Sequence, residues 1–166
     1  MSDPRVKYLS LTKAIGIDRA ACRNIAAMPE LNTLKLIGSN PGAEALAELA
    51  HSPKLGYLDV STTTLSRAEL EAIGRITGLK ALSLSKCTFS DVGLDALNQL
   101  TQLEHLYLKF STVTDRGLER LVGMQSLRRL ILNDTKVTES GVKELAATIP
   151  RCRIEWDGGV IEQKSK

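Results

Sequence analysis

Aromatic residues are scarce in this 166-residue chain: one Trp, three Tyr and two Phe, 4% of the whole. A core large enough for one domain of this length must therefore be aliphatic, and leucine dominates. Histidine is scarcer still, with only His51 and His105. The three cysteines, Cys22, Cys87 and Cys152, form no CxxC pair, which removes the zinc and dithiol motifs. They are expected as buried free thiols, since a free Cys behaves as a small hydrophobe. No GxGxxG or Walker-type glycine loop exists, so a nucleotide site has no support. No apolar run approaches the roughly 18 residues needed to cross a bilayer, and the start MSDPRVKYLSLTK lacks the apolar segment of a signal peptide. A cytoplasmic location with no membrane contact is the expectation. Charge of one sign is also missing: 22 basic and 19 acidic residues leave a net +3. Phosphate binding needs clustered cations, so nucleic acid is not an expected partner.

What the chain does have is a repeat. The first apolar position of a strand motif falls at Val6, Leu31, Leu55, Leu79, Leu103, Leu127 and Cys152. The spacings are 25, 24, 24, 24, 24 and 25 residues. The blocks read VKYLSL, LNTLKL, LGYLDV, LKALSL, LEHLYL and LRRLIL. A fixed period of this length signals stacked units, none of which buries its own apolar face alone.

Each unit predicts its own layout. In a strand alternate side chains face opposite ways, so Leu106 and Leu108 point to the core while His105, Tyr107 and Lys109 point out. Three residues after the last strand apolar position comes a small residue: Ala14, Ser39, Thr63, Cys87, Ser111 and Thr135. A short side chain there can bond the backbone of a neighbouring turn. Ser66, Ser90, Thr114 and Thr138 are placed as helix N-caps, as is Asp18 in the first unit, and Ser66 with Glu69 fits a capping box. Asp91, Asp115 and Glu139 add negative charge to helix N-termini. Leucines then recur at helical spacing, as in Leu94/Leu97 and Leu118/Leu121. Glycine recurs early in three helices, at Gly93, Gly117 and Gly141. It costs about 1 kcal/mol there, so its return suggests close packing between stacked turns.

With these blocks the pattern LxxLxLxxTxVTDxGLxxL resembles the leucine-rich-repeat family, in the 24-residue type similar to the cysteine-containing and GALA-like repeats of F-box and bacterial proteins. The resemblance runs from Val6 to Trp156, and IPRCRIEW looks like the closing turn of bacterial members. It implies an α/β solenoid, a right-handed horseshoe arc with a parallel inner sheet and helices on the convex face. About six repeats and a C-terminal closing strand fill residues 1–156, with Trp156 covering the core, and 157–166 are expected as a disordered tail. It also implies a protein or peptide partner on the concave face. No F-box precedes the repeats, so the ubiquitin-ligase adaptor role does not carry over.

Catalysis finds no support. His105 would face Ala81 and Arg129 across the strands, neither of which can serve as its nucleophile or orienter. Glu44 and Glu48 lie four apart with no His or Cys beside them and are read as a solvated helix surface. No enzyme activity, cofactor or metal is expected. The inner face remains. Its middle is small and bland (Ala81, Ser83, Ser85), while its C-terminal part carries His105, Tyr107, Lys109, Arg129 and Ile131, with Phe110 and Arg128 at the rim. Tyr57 adds an aromatic two units earlier. Tyr and Arg are enriched in interface hot spots, and Ile131 reads as an exposed apolar anchor. A docking patch for a protein or peptide is the leading expectation. The alternative is assembly, with the uncapped first strand pairing a second copy into a homo-oligomer or a neighbouring segment.

Overall fold

The computed structural model describes residues 5–162. Its seven repeat strands are β1 (Tyr8–Ser10), β2 (Thr33–Lys35), β3 (Tyr57–Asp59), β4 (Ala81–Ser83), β5 (His105–Tyr107), β6 (Arg129–Ile131) and β7 (Arg153–Trp156). They pair in chain order, all parallel, in one open sheet. The register aligns Leu9, Leu34, Leu58, Leu82, Leu106, Leu130 and Ile154 in one row. Beyond each strand's last residue the backbone still reaches the next turn: Leu36 N donates to Asp59 O at 2.7 Å, Leu84 N to Tyr107 O at 2.9 Å and Leu108 N to Ile131 O at 2.9 Å.

The second layer holds α1 (Arg19–Ala26), α2 (Ala43–Glu48), α3 (Arg67–Gly74), a 3₁₀ segment (Asp91–Gln99), α4 (Asp115–Glu119) and α5 (Glu139–Thr148), each packed on the next. Between the layers the leucines of the inner units are fully buried, from Leu31 through Leu132. Each such side chain contributes about 1.5–3 kcal/mol relative to leaving it in water. All three cysteines are buried free thiols.

Most local expectations hold. Ser66 and Glu69 form the capping box. Asp18, Thr114 and Thr138 accept from first-turn amides. Ser39 Oγ donates 2.8 Å to Leu11 O and Cys87 Sγ 3.4 Å to Val60 O, both reaching back one turn. Thr63 and Thr135 instead close on their own turn. Ser90 makes no side-chain cap, and its segment is a tight 3₁₀ helix rather than an α-helix. Asp91, the residue after it, is drawn forward to the next repeat. Its carboxylate accepts Thr114 N at 3.2 Å and Thr114 Oγ1 at 2.6 Å. Asp115 does the same for Thr138, at 2.8 and 2.7 Å. The recurring glycines make room for this: a Cβ on Gly117 or Gly141 would collide with the carboxylate of Asp91 or Asp115, and one on Gly93 would stand 2.5 Å from Leu70 Cδ1.

Two expectations are corrected. The tail from residue 157 is not unstructured over its described part. Asp157 and Gly158 turn the chain, and β8 (Gly159–Ile161) pairs antiparallel with β7, Ile154 opposite Ile161. Ile161 packs on the core beside Trp156, which gives the strand an apolar reason to fold back. The last four residues of the expected tail lie outside the described residues. The solvated helix surface holds for Glu44 but not for Glu48, which is 8% exposed. Arg23 and Arg19 of the preceding helix both bond its carboxylate and hold it down at about 2, against the opposing effect of burial.

Gly141→Ala is expected to destabilise the protein by about 1–3 kcal/mol through overpacking. In an Asp115→Ala background the carboxylate is gone but the Cβ of residue 115 still lies 2.9 Å from the new methyl, so the cost should shrink without reversing sign. Urea unfolding of the four-member cycle reads the difference, and a Gly141→Ala effect of equal size in both backgrounds would refute the collision with the carboxylate. For Glu48 the folded carboxyl lies below its ordinary 4.5, so the unfolded chain binds the proton more readily. The stabilisation is full above that value and disappears as pH falls through about 2. Glu48→Gln should thus be less stable than wild type at neutral pH, with the gap closing in acid. A gap that ignores pH would remove the ion pairs as its source.

Candidate functional site

The inner face is built by the strand register. One outward column runs Tyr8, Thr33, Tyr57, Ala81, His105, Arg129 and Arg153, and the next Ser10, Lys35, Asp59, Ser83, Tyr107, Ile131 and Glu155. Adjacent members stand one strand apart, about 4.8 Å. His105 therefore sits between Ala81 and Arg129, as the alternation requires.

At the N-terminal end Tyr8 is 54% exposed, with Lys35 Nζ 5.6 Å from its ring centroid. The middle is not bland. Asp59 is buried, and its carboxylate accepts Ser61 N at 3.0 Å, the Ser61 hydroxyl, and Tyr57 OH at 3.4 Å. Ser61 Oγ meets Ser83 Oγ at 2.8 Å, and Ser83 Oγ donates to Ser85 Oγ at 3.3 Å. A buried carboxylate is tolerable when hydrogen-bonded in this way. Burial first, and then Asp59, push the Tyr57 hydroxyl up to about 12. Tyr57 is thus half-buried and committed to this network, two strands from the C-terminal patch.

The C-terminal patch comes together in part. His105 and Tyr107 are half-buried on β5, and Lys109 and Phe110 follow them in full view of solvent. His105 Nδ1 is buried and has no hydrogen-bond partner among the described residues. Arg129 is exposed but occupied: its Nε lies 3.1 Å and its Nη2 3.0 Å from Glu155 Oε1, which Arg153 Nε also reaches at 2.9 Å. Arg153 first, with Arg129, holds the Glu155 carboxyl below its ordinary range. Arg128 is half-buried, and its Nη1 donates to Gln125 O and Leu127 O at 3.3 and 3.2 Å. Ile131 is corrected: it is 8% exposed, standing in register between Tyr107 and Glu155, and it is no exposed anchor.

One feature of this rim escaped the repeat reading. Lys13, Gly38, Thr62, Lys86, Phe110 and Asp134, one residue per unit, all have φ between 53° and 67°. Their amides form the outermost rung of the ladder, as when Lys86 N donates to Lys109 O and Phe110 N to Asn133 O. The signal was Gly38, the only glycine of the series and the residue type suited to that conformation. Lys86 enters the site through this row: its Nζ lies 5.5 Å from the Phe110 ring centroid, and Lys109 Nζ lies 5.0 Å from it.

Among the described residues no group of three or more His, Cys, Asp or Glu is placed to hold a metal ion, and no helix is long and apolar enough to cross a membrane.

A family model described as "Leucine Rich repeat" matches residues 77–97. No curated protein matches the sequence. Among solved structures, an internalin of Listeria monocytogenes is 17% identical, with a TM-score of 0.54 over 80% of this chain and 43% of its own. A leucine-rich-repeat protein of Leptospira interrogans is 19% identical, with a TM-score of 0.54 over 78% of this chain and 38% of its own. TLR13, in its complex with ssRNA13, is 20% identical, with a TM-score of 0.60 over 82% of this chain and 23% of its own. This chain therefore spans about two fifths of the first two proteins. The repeated register, the family match on one unit and the shared architecture together make this chain a leucine-rich-repeat solenoid in fold.

Proposed function

We propose that the chain is a non-enzymatic docking module that binds a protein or peptide on the C-terminal part of its inner face. Leucine-rich-repeat proteins commonly bind other proteins, and a fold by itself assigns no more than that. The observation that carries the placement is the step between β4 and β5. Small Ala81 and Ser83, the latter bonded to Ser61, give way to His105 and Tyr107, half-exposed, with Lys109 and Phe110 beyond them. Aromatic side chains next to a recess are what interface hot spots use. Arg129, paired with Glu155, and Arg128, bonded to backbone carbonyls, form the rim of this patch.

Assembly through β1 is the second reading. Among the described residues no strand pairs with its outer side, Tyr8 is 54% exposed, and Ile15 nearby is 98% exposed. Charge opposes pairing with a second copy: residues 6–13 carry Lys7 and Lys13 and no acid. A different strand, richer in acid, fits this edge better than a copy of itself. The pairing of TLR13 with an RNA concerns that protein. Here Asp59, Glu155 and Asp157 interrupt the inner face, which argues against a polyanion.

The test is affinity capture from a native lysate, followed by measured binding of the identified partner to wild type and to His105→Ala/Tyr107→Ala. A loss of about 10-fold or more, with the fold intact by circular dichroism, is expected. Equal affinity would move the site elsewhere.

A further inference from the structure

Phe110 is the one aromatic among the six left-handed rim positions. Its φ of 59° is a conformation that bulky side chains rarely hold, and Gly38 shows that glycine serves there. The ring is 47% exposed and lies outside the core cluster, so packing does not explain it. Lys13, Thr62, Lys86 and Asp134 hold the same conformation, so the turn imposes it; what is peculiar to this unit is a half-exposed aromatic ring outside the core. Two ammonium groups converge on the ring, Lys109 at 5.0 Å and Lys86 at 5.5 Å. Neither lysine has an ion-pair partner among the described residues.

The surroundings define the shape of the complementary charge. The rim positions before this cluster are Lys13, Gly38 and Thr62, and the one after it is Asp134, whose amide donates to the Asp157 carboxylate at 3.0 Å. A phosphate backbone running along the rim would cross two neutral units before reaching Lys13 on one side and would meet acid at once on the other. The site instead fits one or two negative charges held beside an apolar group. We propose that Lys86, Lys109 and Phe110 anchor a short acidic segment of a protein partner. A carboxylate sits between the two ammonium groups, and a neighbouring apolar side chain lies on the Phe110 ring. This rests on the docking reading and names the chemistry of its partner. It also extends the site one repeat towards the N-terminus, to Lys86.

The experiment is an amide-resolved NMR titration of the full chain with three probes: Ac-Glu-Glu-Phe-Glu-NH₂, Ac-Lys-Lys-Phe-Lys-NH₂ and a short oligothymidylate. The acidic peptide should shift the amides of Lys86, Lys109 and Phe110 and saturate with a Kd of about 1 mM. Lys86→Ala/Lys109→Ala should weaken it about 10-fold or more, while Phe110→Gly should raise the unfolding temperature and yet lose the binding. No saturable shift at these amides, equal shifts with the basic peptide, or tighter binding of the oligothymidylate would each overturn the anchor. His105→Ala/Tyr107→Ala is titrated alongside. Acidic peptide held by this variant as by wild type upholds the anchor even where partner docking at Tyr107 fails. A partner lost with Tyr107 while no peptide binds at Phe110 leaves docking in place and removes the anchor.

Discussion

The backbone bond from each strand's last apolar position to the strand after it, as from Leu36 to Asp59 or Leu84 to Tyr107, is the interaction on which the rest of the molecule depends. It sets the register, and the register decides which side chains meet. A slip of one residue would turn Leu82 and Leu106 to solvent and bring Ser83 and Tyr107 into the core. Because every turn is sealed by its neighbour, the apolar rows are continuous, and the helices need only cover them. Short elements suffice, such as the five residues of α4.

Much of this was legible in the residues alone, because it follows from two periods. Alternation along each strand gave the outward columns as the register places them, and the recurrence of about 24 residues gave the stacking order. The recurring glycines suggest close packing between stacked turns, and the structure bears that out: at Gly117 and Gly141 the close neighbour is an aspartate from the turn before. What periodicity could not carry were contacts peculiar to one pair of units. Glu48 draws two arginines from a helix some 25 residues earlier, and its burial depends on them. The strand at Gly159–Ile161 belongs to no repeat, so a repeat reading had no place for it.

The candidate site divides the same way. That His105 and Tyr107 face outward is a matter of alternation. That Ile131 is covered and Arg129 engaged depends on Glu155, which lies in the closing strand and outside the leucine pattern. The left-handed rim row was hidden for a different reason. Five of its six residues are not glycine, so composition hid a backbone constraint that the turn itself imposes.

The Asp91–Thr114 and Asp115–Thr138 bridges give the solenoid an uneven stiffness. In a one-dimensional stack, stability is shared between neighbours, and the ends open first. At the β8 end the sheet is folded back on itself, and the units before it are tied by short carboxylate–hydroxyl bonds. At the β1 end the first two helices are joined by arginines that stand largely in water, an attachment that salt weakens. Salt therefore loosens the link between the first two helices more than the link between the bridged turns, and slow hydrogen exchange should concentrate at the bridged repeats. The His105–Phe110 surface lies in the repeat that both bridges tie, so a ligand there meets a shape already set and spends little of its affinity on ordering it.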